Sequence, residues 1–213
     1  MMGDENNIPS MTSTKVHDYL EDVGSKWTGQ GVAMELGCWL GGSSAPLLKG
    51  LVAAGYDKTF WAFDKWRANR EQVDKAGEDK KKLMVNQPLD QLYLANVFQI
   101  YRNITPVKGV MAGSLKAYNG GPIEICIFDA PKKDPVFGDC VRMLHKHWIP
   151  GVTIFGLLDY NFFARFEGVK RKQLMAPVEF IERYKNHFEI VKEWEDETPV
   201  FFRYVKEIKN LRK

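Results

Sequence analysis

The chain has 213 residues, of which 45% are hydrophobic and 13% aromatic, enough for one sizeable core and too short to require a second domain. Thirty Lys and Arg against 27 Asp and Glu leave a formal net charge of +3, interspersed along the chain, which excludes the basic footprint of a nucleic-acid binder. No apolar run reaches membrane-spanning length, and Met1 to Lys15 are polar with no apolar signal core, so the expectation is a cytoplasmic protein whose residues 1–15 are disordered.

Hydrophobic periodicity predicts a short amphipathic helix over Val16 to Trp27, then a strand over Val32 to Leu36 that runs into a glycine-rich turn. Ser43 or Ser44 is a plausible N-cap for a helix through Val52, with Gly55 as its stop. A second strand, Thr59 to Phe63, ends on Asp64. Residues 67–88 then turn highly charged without an apolar face, which reads as a mobile surface loop or a solvated helix and, because it emerges from a strand carboxyl end as residues 160–163 do, as a candidate lid. Leu89 to Tyr101 is helical, Ile104 to Val110 strand-like, and Ser114 to Tyr118 a turn or short helix. Ile123 to Phe128 forms a fourth strand ending on Asp129, and a helix from Val136 to Trp148 leads to a fifth, Val152 to Leu158, ending on Asp159. A helix over Pro177 to Asn186 precedes two closing strands, Phe188 to Trp194 and Val200 to Val205. Cys38, Cys126 and Cys140 lack CxxC spacing and read as free thiols of a reducing compartment.

Strands alternating with helices imply a parallel sheet with right-handed crossovers, and the final hairpin implies an antiparallel last strand. The predicted architecture is α/β and Rossmann-like: one domain over 1–213, with a seven-stranded, mostly parallel sheet and helices on both faces. In such a sheet a ligand lies across the carboxyl ends of the strands, where strand order reverses. Gly37, Gly41 and Gly42 allow a sharp turn and a close backbone approach there. Glu35 precedes those glycines, and Asp64 stands where an acidic side chain accepts the ribose hydroxyls of an adenosine-type ligand; the alternative is that both carboxylates cap neighbouring helices.

The run Glu35-Leu36-Gly37-Cys38-Trp39-Leu40-Gly41-Gly42-Ser43-Ser44 resembles motif I of the macrocin O-methyltransferase family and, more distantly, of catechol O-methyltransferases. Phe63-Asp64-Lys65-Trp66 resembles that family's ribose-binding strand end, and Val107-Lys108-Gly109-Val110-Met111 is similar to the segment beside its adenine ring. Ile127-Phe128-Asp129 and Leu158-Asp159-Tyr160 resemble its two acidic strand ends. The resemblance covers roughly residues 30 to 165 and is most specific in motif I. It implies a class I methyltransferase that binds S-adenosylmethionine through Glu35, Gly37, Cys38, Trp39, Gly41, Ser43, Asp64, Lys65, Gly109, Val110, Met111 and Asp129. The acceptor it implies is a small-molecule hydroxyl, of sugar or natural-product type, and a homodimer stays open.

The same resemblance implies a magnesium ion on Asp129 and Asp159, orienting the acceptor hydroxyl. The sequence departs from the family here, because Leu158 replaces an acidic residue and Asp129 is followed by Ala130-Pro131, so ordinary polar strand ends without metal remain an alternative. Lys132, three residues beyond Asp129, matches the spacing of the catechol O-methyltransferase base, with Lys133 as a neighbouring cation; both lysines simply solvated is the other reading. Asp129, Lys132 and Asp159 are therefore the catalytic candidates, and His145 and His147 are assigned no role. Aromatic residues Trp39, Trp66, Tyr160, Phe162 and Phe163 suit a sugar or aromatic acceptor or the core equally. The rival functions are a cofactor-binding relative with altered catalysis and a nicotinamide-dependent oxidoreductase, the latter disfavoured by the terminal hairpin.

Overall fold

The computed structural model describes residues 8–76, 83–209 and 211. In chain order the elements are α1 (Thr14–Ser25), β1 (Val32–Leu36), α2 (Ser44–Ala53), β2 (Phe60–Asp64), α3 (Arg70–Lys75), α4 (Asp90–Val97), β3 (Ile104–Lys108), α5 (Met111–Ser114), β4 (Ile123–Phe128), α6 (Val136–Leu144), β5 (Ile154–Leu157), α7 (Gly168–Gln173), α8 (Ala176–Arg183), β6 (Phe188–Glu193) and β7 (Val200–Tyr204).

The strands form one seven-stranded sheet in the order β3-β2-β1-β4-β5-β7-β6. The first five strands pair in parallel, and β7 runs antiparallel to both β5 and β6. This is the topology expected from the helix–strand alternation and the closing hairpin. Strands β1, β2 and β4 are buried along their whole length, because helices cover both faces and leave no solvated side. The edges differ. Strand β3 buries only Ile104 fully and tolerates Pro106, while β6 carries Glu189, Lys192 and Glu193 along a half-exposed ribbon.

Side chains alternate across the sheet, so each strand feeds two cores. Ile125 and Ile127 of β4 pack with α1, α2 and α4, whereas Cys126 and Phe128 pack with α5, α6 and α8. The same alternation turns Ala33 toward the α2 side and Met34 and Leu36 away from it. Glu35 therefore points to the α2 face, directly under the residues that begin that helix.

One boundary differs from the sequence expectation, and the charged stretch resolves in part to the solvated-helix alternative. Helix α1 starts at Thr14 because the Ser13 side chain accepts from the Val16 amide, and residues 8–13 pack against the glycine-rich turn rather than fraying. The rest of the expected disorder, residues 1–7, lies outside the described residues. The charged stretch 67–88 holds helix α3, fixed by a capping box in which Asn69 accepts from the Gln72 amide at 2.8 Å and Gln72 accepts from the Asn69 amide at 3.0 Å. Its base is closed where Arg67 pairs with Pro88, and residues 77–82 of its charge run lie outside the described residues.

Candidate functional site

A cavity of about 510 Å³ opens at the carboxyl ends of β1, β2, β4 and β5, which is the size of a small-molecule or cofactor site. Strand order reverses there: β1 is flanked by β2 on one side and β4 on the other. Just past β1, the Asp129 and Ala130 amides both donate to the Leu36 carbonyl, at 2.8 and 2.9 Å, and the Gly37 amide donates to the Phe63 carbonyl at 2.7 Å. These bonds draw three strand ends together. Gly37 sits at φ +102°, and a Cβ on it would lie 2.6 Å from Ala130, so only glycine fits the junction.

Asp64 forms the floor. Its Oδ2 accepts from the Trp39 amide at 3.1 Å and its Oδ1 from the Trp66 amide at 2.8 Å, while the residue is 5% exposed. Both tryptophans pay for this with left-handed backbones, Trp39 at φ 43° and Trp66 at φ 52°, a conformation that costs a bulky residue about 1–3 kcal/mol. Each carboxylate oxygen keeps a second acceptor position, and Asp64 lines the cavity.

Glu35 has a different place. It is fully buried, does not line the cavity, and takes the Ser43 and Ser44 hydroxyls on its two oxygens. Burial pushes its carboxyl up to about 7 against the opposing pull of the serines. Ser43, expected as an N-cap, makes no side-chain cap bond because its hydroxyl serves Glu35. Glu35 thus holds the start of α2 from below, one layer behind the residues that line the cavity. Gly41 also stands behind the wall, against Val97 and Tyr93, at φ +96°.

The other expected residues reach the cavity: Cys38, Trp39, Ser43 and Lys65 on one side, Gly109, Val110 and Met111 on another, and Asp129, Lys132 and Asp159 on the third. Gly109 is anchored by its amide to the Asp64 carbonyl at 3.1 Å. Cys38 is buried with its thiol pushed upward by desolvation and the surrounding carboxylates, so it is no thiolate nucleophile. His145 and His147 lie beyond α6 and take no part in the wall. Of the aromatics, Trp66 is core and Tyr160 packs on Phe202 at 5.3 Å, whereas Trp39 and Phe162 face the cavity.

At the ends of β4 and β5, Asp129 is pushed well above the usual carboxylate range by desolvation first and by Asp159 second. The Lys132 ammonium donates to Asp159 Oδ2 at 2.6 Å and lies 4.7 Å over the Phe162 ring. That arrangement does not fit the expected magnesium ion. Lys132 already occupies Asp159, Leu158 is buried and apolar, and among the described residues no three His, Cys, Asp or Glu side chains group to hold a metal. The same contact engages the Lys132 nitrogen as a donor to Asp159.

The charged stretch lies at the cavity, as its place after Asp64 led one to expect, whereas the N-terminal strap was not anticipated there. Ser10, Met11 and Thr12 line the cavity from the N-terminal strap, and Asn69, Glu71, Gln72 and Lys75 line it from α3. The strap bears on Gly42, whose Cβ would meet the Pro9 carbonyl at 2.6 Å and Ser10 at 2.7 Å, and it is pinned by Ser10 Oγ to His17 Nε2 at 2.7 Å. The Ser-Thr-rich run at 10–14 was the available signal, since a cap there anchors what precedes it.

No protein-family model matches the sequence, and no curated protein matches it. Solved structures do match in shape. The chain is similar to the O-methyltransferase NovP, with a TM-score of 0.68 and 16% identity over 93% of this chain and 83% of that one. It is similar to an O-methyltransferase of Bacillus cereus solved with S-adenosylhomocysteine, with a TM-score of 0.62 and 14% identity over 94% and 86% of the two chains. It is also similar to the O-methyltransferase TomG of Streptomyces achromogenes, solved with S-adenosylmethionine, with a TM-score of 0.62 and 11% identity over 92% and 82%. At these identities the likeness assigns the fold, a seven-stranded Rossmann-like methyltransferase sheet closed by an antiparallel strand.

Proposed function

We propose that this chain is an S-adenosylmethionine-dependent methyltransferase, a single catalytic domain acting on a hydroxyl of a small molecule of sugar or natural-product type. The observation that carries the reading is Asp64, held at the cavity floor by the Trp39 and Trp66 amides with its remaining acceptor positions free for a ribose. In this reading Gly37, Cys38, Trp39 and Ser43 lie along the methionine half, and Gly109, Val110 and Met111 border the adenine. When bound, the cofactor supplies a methyl group activated on a sulfonium.

The chain's own residues then bind, orient and move a proton. Asp64 fixes the ribose, while the strap and α3 narrow the cavity mouth and restrict water. Asp129, whose carboxyl is pushed upward by burial and by Asp159, lines the cavity as the group to take the proton that the acceptor hydroxyl loses. Three buried, unpaired cysteines support a reducing compartment such as the cytoplasm. Among the described residues no helix is long and apolar enough to cross a membrane.

Calorimetry with S-adenosylhomocysteine and with a nicotinamide dinucleotide tests the reading directly. Saturable binding of the first and none of the second is expected; the reverse result would sink the methyltransferase assignment in favour of an oxidoreductase.

A further inference from the structure

The acidic strand ends of β4 and β5 carry a feature that the proposed methyl transfer does not by itself require. Asp129 and Asp159 face one cavity, and the position between such carboxylates is where a divalent cation would sit to orient an acceptor oxygen. In this chain one of those carboxylates is already occupied by the Lys132 ammonium, 2.6 Å from Asp159 Oδ2 and only 34% exposed. We propose that Lys132 is a built-in replacement for the metal: its ammonium, positioned by Asp159, excludes divalent ions and presents its remaining N–H groups to the acceptor oxygen.

Three features carry the argument. An ammonium has three donors, and Asp159 uses one of them, so hydrogen-bonding capacity remains on the cavity side. The Phe162 ring 4.7 Å away adds a cation–π contact that holds the nitrogen in place on its other flank. The donor set is also short for a hard cation, since Leu158 contributes an apolar side chain and Asp159 is neutralised by its lysine partner. A divalent ion would have to displace Lys132 or bind beside a like charge. The inference rests on the methyltransferase reading for its meaning, adds no chemical step to it, and makes Lys132 a charge-supplying and positioning group.

The test reads metal binding, so it requires no known acceptor. Metal-stripped protein saturated with S-adenosylhomocysteine is titrated with Mn2+ while free ion is followed by electron paramagnetic resonance. Wild type and Lys132→Arg are expected to take up no stoichiometric Mn2+. Lys132→Met is expected to gain at least about tenfold in Mn2+ affinity, and the added substitution Asp159→Asn is expected to abolish the gain. Lys132→Gln serves if the methionine variant fails to give the native circular dichroism spectrum. Stoichiometric Mn2+ binding by wild type, lost on Asp159→Asn, would overturn the proposal; so would a folded Lys132→Met or Lys132→Gln protein that gains no affinity. Failure of S-adenosylhomocysteine to bind wild type in the preparatory titration would instead count against the methyltransferase reading itself.

Discussion

The two halves of the cavity are built on opposite principles. At the ends of β1 and β2 each carboxylate oxygen has its own donor: serine hydroxyls for Glu35 and tryptophan amides for Asp64. At the ends of β4 and β5 two carboxylates confront each other, and one lysine contacts Asp159 directly while only partly offsetting the upward push on Asp129. Fully partnered groups make a rigid cradle, whereas under-partnered groups keep capacity for a reacting ligand. In the proposed methyltransferase reading the first half holds the cofactor and the second meets the acceptor.

The largest effect expected from breaking the first half is on stability. Glu35→Ala removes a fully buried side chain and leaves the Ser43 and Ser44 hydroxyls without their acceptor, which should cost about 2–4 kcal/mol in urea unfolding. The pH dependence has a definite sign. With the folded carboxyl near 7 and the reference value at 4.5, the folded state holds a proton that the unfolded state releases. Relative to Glu35→Gln, wild type should therefore lose about 3 kcal/mol as pH rises from below 4.5 to above 7. A difference that stayed flat over that window would mean that the folded Glu35 carboxyl titrates where the unfolded one does, unshifted by burial.

Asp64→Ala comes next, and its effect is on binding. Losing the charged acceptor for the ribose hydroxyls should weaken S-adenosylhomocysteine by about 1.5–3 kcal/mol, measured by calorimetry on folded protein. Unchanged affinity would place the ribose elsewhere. Gly42→Ala should be milder, because its backbone is ordinary and the clash is with the strap alone. Moving the Pro9 and Ser10 backbone aside is expected to cost about 1 kcal/mol of stability. It should also speed proteolysis of the strap while leaving the sheet protected, which limited digestion would reveal.

The same contrast marks what could be read from sequence. Strands β1 and β4 were legible residue for residue, because burial on both faces makes continuous apolar runs and both end on turn-forming or acidic residues. The glycines and Asp64 were legible because a sharp turn and a strand end restrict residue type. What could not be read was pairing between distant segments. Nothing local announces that the Lys132 nitrogen meets Asp159, that Glu35 is consumed by two serines, or that Ser10 and Gln72 face one cavity. Helix α7 escaped notice because Gly168 to Gln173 is short, basic and without buried residues, so it carries no hydrophobic period.

The smallest expected effect concerns α3, the wall contributed by the charged excursion. Its six residues bury none of their side chains, so packing holds it weakly and the Asn69–Gln72 capping box carries most of its local order. Lys75 and Glu71 pair at 2.9 Å with both side chains about half exposed or more, and solvent screening leaves such a pair worth at most about 0.5 kcal/mol. A helix so held exchanges its amides quickly in the free protein and gains protection only if a ligand completes the cavity it lines. Hydrogen exchange with and without S-adenosylhomocysteine should therefore show slowing confined to Asn69 to Ala76 and the adjoining strand ends, with β4 and β5 interiors unchanged. Asn69→Ala should raise the free-state rate over the same stretch and weaken the ligand only slightly, because it removes the cap and no cavity contact of Asp64. Equal exchange rates in α3 with and without ligand would show that the wall stands apart from binding, leaving the strap and Phe162 as the elements that respond to an occupied cavity.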